Sequence, residues 1–150
     1  MIATSITYDV VFLVHILAAV DTLIVLIVMR SSAQGVARGA DESVQRARFP
    51  NRRNWAARVV HVLPVTGLIM SLSGDKSVSL SQPWIGVGIL CYLAMAGHLE
   101  ARTLPQERAL AQVIASEGTA PPASGRAFVK SIDVLLALIA VALISMLVQY

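Results

Sequence analysis

Val134–Val148 reads VLLALIAVALISMLV, fifteen residues with one serine and no charge. A helix buried on one face in a water-soluble protein needs a polar outer face, and this stretch offers none. It reads as a membrane span, and a soluble all-helical core is the alternative that this missing polar face argues against. Working outward, the segment extends to Phe128 and Gln149. Three more apolar segments precede it, giving helices expected at about 6–29, 55–73, 84–99 and 128–149. A spanning helix takes about 20 residues, so the second and third are short and should tilt little. The expectation is an all-α, membrane-spanning antiparallel four-helix bundle, one integral membrane domain over residues 1–150. Composition agrees: 56% of residues are hydrophobic and 14% charged, where soluble domains carry roughly a quarter charged.

Arginines set the orientation. Arg30, Arg38, Arg46, Arg48, Arg52, Arg53 and Arg58 lie between or beside the first two segments, and Arg102, Arg108, Arg126 and Lys130 follow the third. The link Gly74–Pro83 has only Lys76, offset by Asp75. The positive-inside rule puts both long loops in the cytoplasm and both termini outside, in a bacterial inner membrane. Asp9 and the lack of an N-terminal Lys or Arg predict that the first segment is retained rather than cleaved. The Arg-rich loop should meet anionic lipids. It lacks the base-reading and stacking groups of a nucleic-acid surface. Cys91 reads as a packing residue.

Within the loops, Ser31–Pro50 reads as a linker with one short polar helix near Asp41–Arg48. Thr103 and Gln106 have the spacing of a capping box. They predict a short surface helix to about Ser116, with Leu110, Val113 and Ile114 on one face. Gly118–Gly125, holding Pro121 and Pro122, reads as a turn-rich linker. No phosphate-binding loop, paired-cysteine motif or nucleophile elbow occurs.

The chemistry-bearing residues are those that interrupt the apolar runs, because charge in hydrocarbon costs about 2.5–3.5 kcal/mol per residue on the gentlest scales. Asp21 lies nine residues from Arg30, roughly 13 Å deep at helical rise. His61, His98 and Asp133 lie within about two turns of the arginine-rich end. Asp21 needs a partner, and His61 is the one expected. Asp133 and Lys130 have the spacing of an interfacial pair, and His98 is shallow enough to be hydrated. Asp21, His61, His98 and Asp133 also have ligand types suited to a divalent metal. His15 sits deeper than the others, as a packing or ligand residue. Pro64 and Gly67 should kink the second helix and free a carbonyl near His61.

Val14-His15-Ile16-Leu17-Ala18-Ala19, followed by Arg30, resembles the opening helix of small bacterial membrane proteins of the copper-resistance-D and HemJ-like group. Leu63-Pro64-Val65-Thr66-Gly67-Leu68 resembles a Pro-x-x-x-Thr-Gly pattern in a related uncharacterised family of integral membrane proteins, with one residue instead of three between Pro64 and Thr66, and Trp84 opening the third helix fits as well. The resemblance implies haem b held by His15. Where that group has Trp-x-Gly after the histidine, this chain has Asp21-Thr22. His15 and His61 differ in depth by roughly 13 Å, which disfavours a bis-histidine haem between them. The function expected is a non-enzymatic or accessory membrane subunit with a buried His/Asp cluster, in a homo-oligomer or a larger membrane complex. The alternatives are a haem- or metal-binding redox protein and a small proton-coupled transporter.

Overall fold

A computed structural model describes residues 2–72 and 81–148, without the side chains of 2–5. The described residues are almost wholly helical, with no strand among them. The helices are α1 (Ile2–Ala37), α2 (Glu42–Arg48), α3 (Val62–Leu72), α4 (Pro83–His98), α5 (Leu104–Glu117) and α6 (Pro122–Val148). A 3-10 turn, Ala56–His61, leads into α3, and a π turn, Leu99–Thr103, joins α4 to α5. Three helical stretches are long and apolar enough to cross a membrane: Ile6–Ala37, Pro83–Glu117 and Pro122–Val148. Ala56–Leu72 is apolar but shorter. Most of the link Gly74–Pro83, with Asp75 and Lys76, lies outside the described residues.

α1 packs against α6 and α3, and α6 packs against α4. Each of these neighbours runs antiparallel, as shown by Ala37 against Gly125, His15 against Thr66, and Trp84 against Ser145. α1 continues past Arg30, well beyond the expected end at residue 29, because Ala33 and Val36 are buried against the start of α6. A Cβ at Gly125 would stand 2.5 Å from the Ala37 backbone nitrogen, so only glycine admits this approach. α6 accordingly starts at Pro122, inside the expected linker. α1 ends in a Schellman closure: Gly39 is left-handed (φ 75°), and the Ala40 N–H donates to the Gly35 carbonyl at 3.0 Å. α5 ends at Gly118 (φ 88°), where a side chain would also meet the Glu42 carboxylate.

The second apolar segment is not one α-helix. Pro64 has no N–H for the Val60 carbonyl, and its ring crowds that carbonyl. The preceding turn is tightened to 3-10, the local distortion expected of Pro64. Around Thr103 the expected capping box is absent. Thr103 is helical, fully buried, and its hydroxyl bonds Ser131 Oγ at 2.8 Å instead of capping a helix. The surface helix over 104–117 therefore continues from α4 rather than starting afresh. Its buried face is Leu104, Leu110, Ala111 and Ile114. α2 forms where the short polar helix was expected. Its buried Gln45 donates to the Ala40 carbonyl (2.7 Å) and accepts from the Ala120 N–H (3.0 Å), which ties the two linkers together.

Candidate functional site

A 3-10 helix has three residues per turn, so residues i and i+3 eclipse. That phase aims Arg58 and His61 at one target. Arg58 Nε and Nη2 each donate to the Glu100 carboxylate at 2.9 Å. His61 Nε2 lies 3.5 Å from Glu100 Oε1, and its Nδ1 is 3.1 Å from the Tyr92 hydroxyl, with the two rings edge to face. His61 therefore joins the 3-10 turn to α4 and the π turn. It does not meet Asp21.

His98 occupies a second polar knot. Its Nε2 lies 3.0 Å from Ser131 Oγ and 3.1 Å from the Ser131 carbonyl, and Ser131 Oγ also meets Thr103. A buried hydroxyl without a partner is costly, and here each is satisfied. Asp133 takes neither Lys130 nor a metal-binding neighbour. Arg30 Nε donates to Asp133 Oδ1 at 2.6 Å across the α1–α6 seam. Of the four residues read as metal ligands, His61, His98 and Asp133 are thus held in separate partnerships. Among the described residues, no three His, Cys, Asp or Glu side chains are placed to hold a metal ion.

His15 lies at the far end of the packing. Thr66 Oγ1 lies 2.9 and 3.1 Å from the Val62 and Leu63 carbonyls of its own helix and 2.7 Å from His15 Nδ1. Its single proton serves one of them at a time; when it goes to the helix, Nδ1 is the donor and Nε2 the basic nitrogen. Gly67 lies beside the ring: a Cβ there would stand 3.7 Å from His15 Cε1, an ordinary van der Waals contact.

Asp21 is the exception. It is exposed, and no described residue hydrogen-bonds or pairs with it. It stands on an outward stripe of Val10, Val14, Leu17, Asp21, Ile24, Val28 and Ser31, all exposed. Their spacing alternates four and three residues, the period of a heptad seam. Sequence spacing contained this stripe, but only the burial of the opposite face shows that it is left uncovered.

Two openings differ in kind. Between the helices, Thr22, Leu26, Val60, Met95, Leu99 and Leu135 border a gap of about 10 Å3, no more than one water needs. At the arginine-rich end, the loop from Phe49 to Arg58 and the face of α5 enclose about 190 Å3. Arg52, Arg53, Arg58 and Arg108 line it beside Asn54 and Glu107. Asn54 Nδ2 donates to Glu107 at 2.8 Å, and burial pushes the Glu107 carboxyl above its ordinary pKa despite that bond. Trp55 stands at the rim, 66% exposed, with the Arg53 and Arg58 guanidiniums 5.1 and 5.6 Å from its ring centroid. Sequence reasoning had singled out neither Glu100, Ser131 nor Glu107, and had noted Thr66 only within a family resemblance. The readable signal was a polar residue inside or beside an apolar run.

No protein-family model, curated protein or solved structure matches the chain.

Proposed function

We propose that this chain is a non-catalytic subunit of the bacterial inner membrane, an antiparallel four-helix bundle that works as an oligomer through α1. The arginine-rich loops face the cytoplasm, and both termini face outward. The observation that carries this reading is Asp21, unpartnered at the centre of an exposed heptad stripe. The other imidazoles and the acid that interrupt the apolar segments, His15, His61, His98 and Asp133, each have a partner within the chain. They fasten helices together.

Asp21 in hydrocarbon must be protonated, paired or hydrated. A second copy meets that need by symmetry. Parallel α1 helices related by a two-fold axis bring the two Asp21 side chains together as one self-complementary contact. One polar residue in an apolar seam also fixes register.

The test is disulfide trapping in native membranes on a Cys91→Ala background. Leu17→Cys and Ile24→Cys should each cross-link, and Ile16→Cys, on the neighbouring face, should not. Asp21→Asn should keep the cross-link and Asp21→Leu should weaken it. A monomer in nanodiscs with no seam cross-link would remove the proposal.

A second reading is favoured by the orientation of His15. In the tautomer that donates Nδ1–H to Thr66, Nε2 is free to ligate, the arrangement that partner groups impose on metal-bound histidines. His15 would then hold haem b, which supplies one-electron chemistry when bound. A Soret band that survives purification and is lost in His15→Ala would establish it. A colourless folded preparation would exclude it.

A further inference from the structure

The cavity at the arginine-rich end plays no part in the α1 seam, yet it is the most strongly charged enclosure among the described residues. Its volume of about 190 Å3 holds several waters at about 30 Å3 each, or one tetrahedral anion with its solvent. Arg58 is already held by both oxygens of Glu100. Arg52, Arg53 and Arg108 are exposed and make no ion pair among the described residues. Three guanidiniums left without carboxylates around one concavity form an anion receptor. Their planar forks match phosphate oxygens two at a time.

The walls are rigid enough to aim them. Phe49 is buried against Phe128, ring centroids 6.1 Å apart, and anchors the start of the loop. Asn54 Oδ1 accepts the Ala57 N–H at 3.1 Å and fixes its end. Trp55 marks the depth, since an exposed indole beside an apolar helix sits at the level of lipid headgroups.

We infer that this cavity binds a phosphate ester through Arg52, Arg53 and Arg108. Glu107 on the wall is compatible with that ligand. Burial raises its pKa, which lessens the repulsion the carboxyl would offer a phosphate oxygen. The same chemistry is offered by an anionic lipid headgroup and by a soluble phosphate compound, and the experiment separates them.

A Trp84→Phe chain leaves Trp55 as the single indole reporter. Reconstituted in phosphatidylcholine nanodiscs, it is titrated with glycerol phosphate. In parallel it is placed in discs of rising phosphatidylglycerol content. A saturable Trp55 fluorescence change in the first series identifies a soluble ligand, and in the second a lipid. Arg52→Gln/Arg53→Gln/Arg108→Gln should weaken the response at least about tenfold, as the loss of charge-assisted bonds requires. Arg38→Gln and Arg126→Gln, exposed but outside the cavity, should change it by less than about twofold. Helical circular dichroism checks folding, and Arg52→Gln/Arg53→Gln alone, which leaves α5 untouched, should still lose most of the response. Equal binding by the triple variant, an equal loss in the two control variants, or no response to either phosphate would each overturn the inference. None of these outcomes depends on whether α1 forms a dimer.

Discussion

The arginine-rich end and the far end of this molecule are packed by different rules. Near the arginines, Ala33, Val36, Leu99, Ile114, Phe128 and Ile132 are each almost completely buried. Gln45, Thr103 and Ser131 are buried with them, and every one is hydrogen-bonded. At the far end, few side chains are buried, among them Ala18, Met70 and Cys91. Contact there runs through small residues and side chain-to-backbone bonds, such as Ser145 donating to the Trp84 carbonyl at 3.2 Å. On the membrane reading proposed above, the difference is one of solvent. Water at the arginine-rich end drives apolar side chains into a common core. Lipid gives no such drive, so helices there meet by close fit and occasional polar contacts.

The sharpest way to break this contrast is to truncate one large residue at each end and follow unfolding in detergent. Phe128→Ala should cost about 3–5 kcal/mol, the usual range for a buried aromatic. Val141→Ala, half exposed on the same helix, should change stability by under about 0.5 kcal/mol. Next in size is Gly125→Ala. The added methyl must separate α1 from α6, at about 1–3 kcal/mol for overpacking. A smaller loss follows from His98→Ala, about 1–2 kcal/mol, because Ser131 and Thr103 keep each other but lose the imidazole. At the far end, Thr66→Val removes the His15 bond and should cost only about 0.6 kcal/mol, the average for polar contacts between membrane helices. If Thr66→Val proved as costly as Phe128→Ala, the two-solvent account would fail.

The smallest effect expected is a dependence on pH. Burial holds the Glu107 proton more tightly in the folded chain than in the unfolded one. The resulting stabilisation is complete below the unfolded value and fades as pH rises through the raised folded value. Glu107→Gln should flatten that part of the stability–pH curve, which thermal scans at graded pH would measure.

The apolar runs made the all-helical architecture legible, and local spacing located α2 and α5. Their ends were less legible for a tertiary reason. Ser31–Ala37 reads as linker in isolation and is helical because Gly125 lets α6 lie against it. The same limit applied to the polar residues. Asp133 lies three residues from Lys130, yet its partner is Arg30, 103 residues away. His61 finds Tyr92 and Glu100 through the 3-10 phase that Pro64 imposes, which spacing on an α-helix misplaces. Asp21 was singled out because an acid interrupts an apolar run, but the partner expected for it, His61, is engaged by Tyr92 and Glu100 instead.

The π turn between α4 and α5 makes this chain unequally tolerant of changes in length. A π turn accommodates one residue more than a regular helix would, while the flanking turns keep their facing. Deleting the exposed Ala101 should therefore be absorbed as a return to regular winding, with Cys91 and Ile114 still turned inward. Deleting Ala109 offers no such slack. Everything after it would rotate by about 100°, and Leu110, Ala111 and Ile114 would swing away from the core. Leu99–Thr103 thus serves as a register reserve, the one place in this 35-residue rod where a codon can be lost without turning the rest of it.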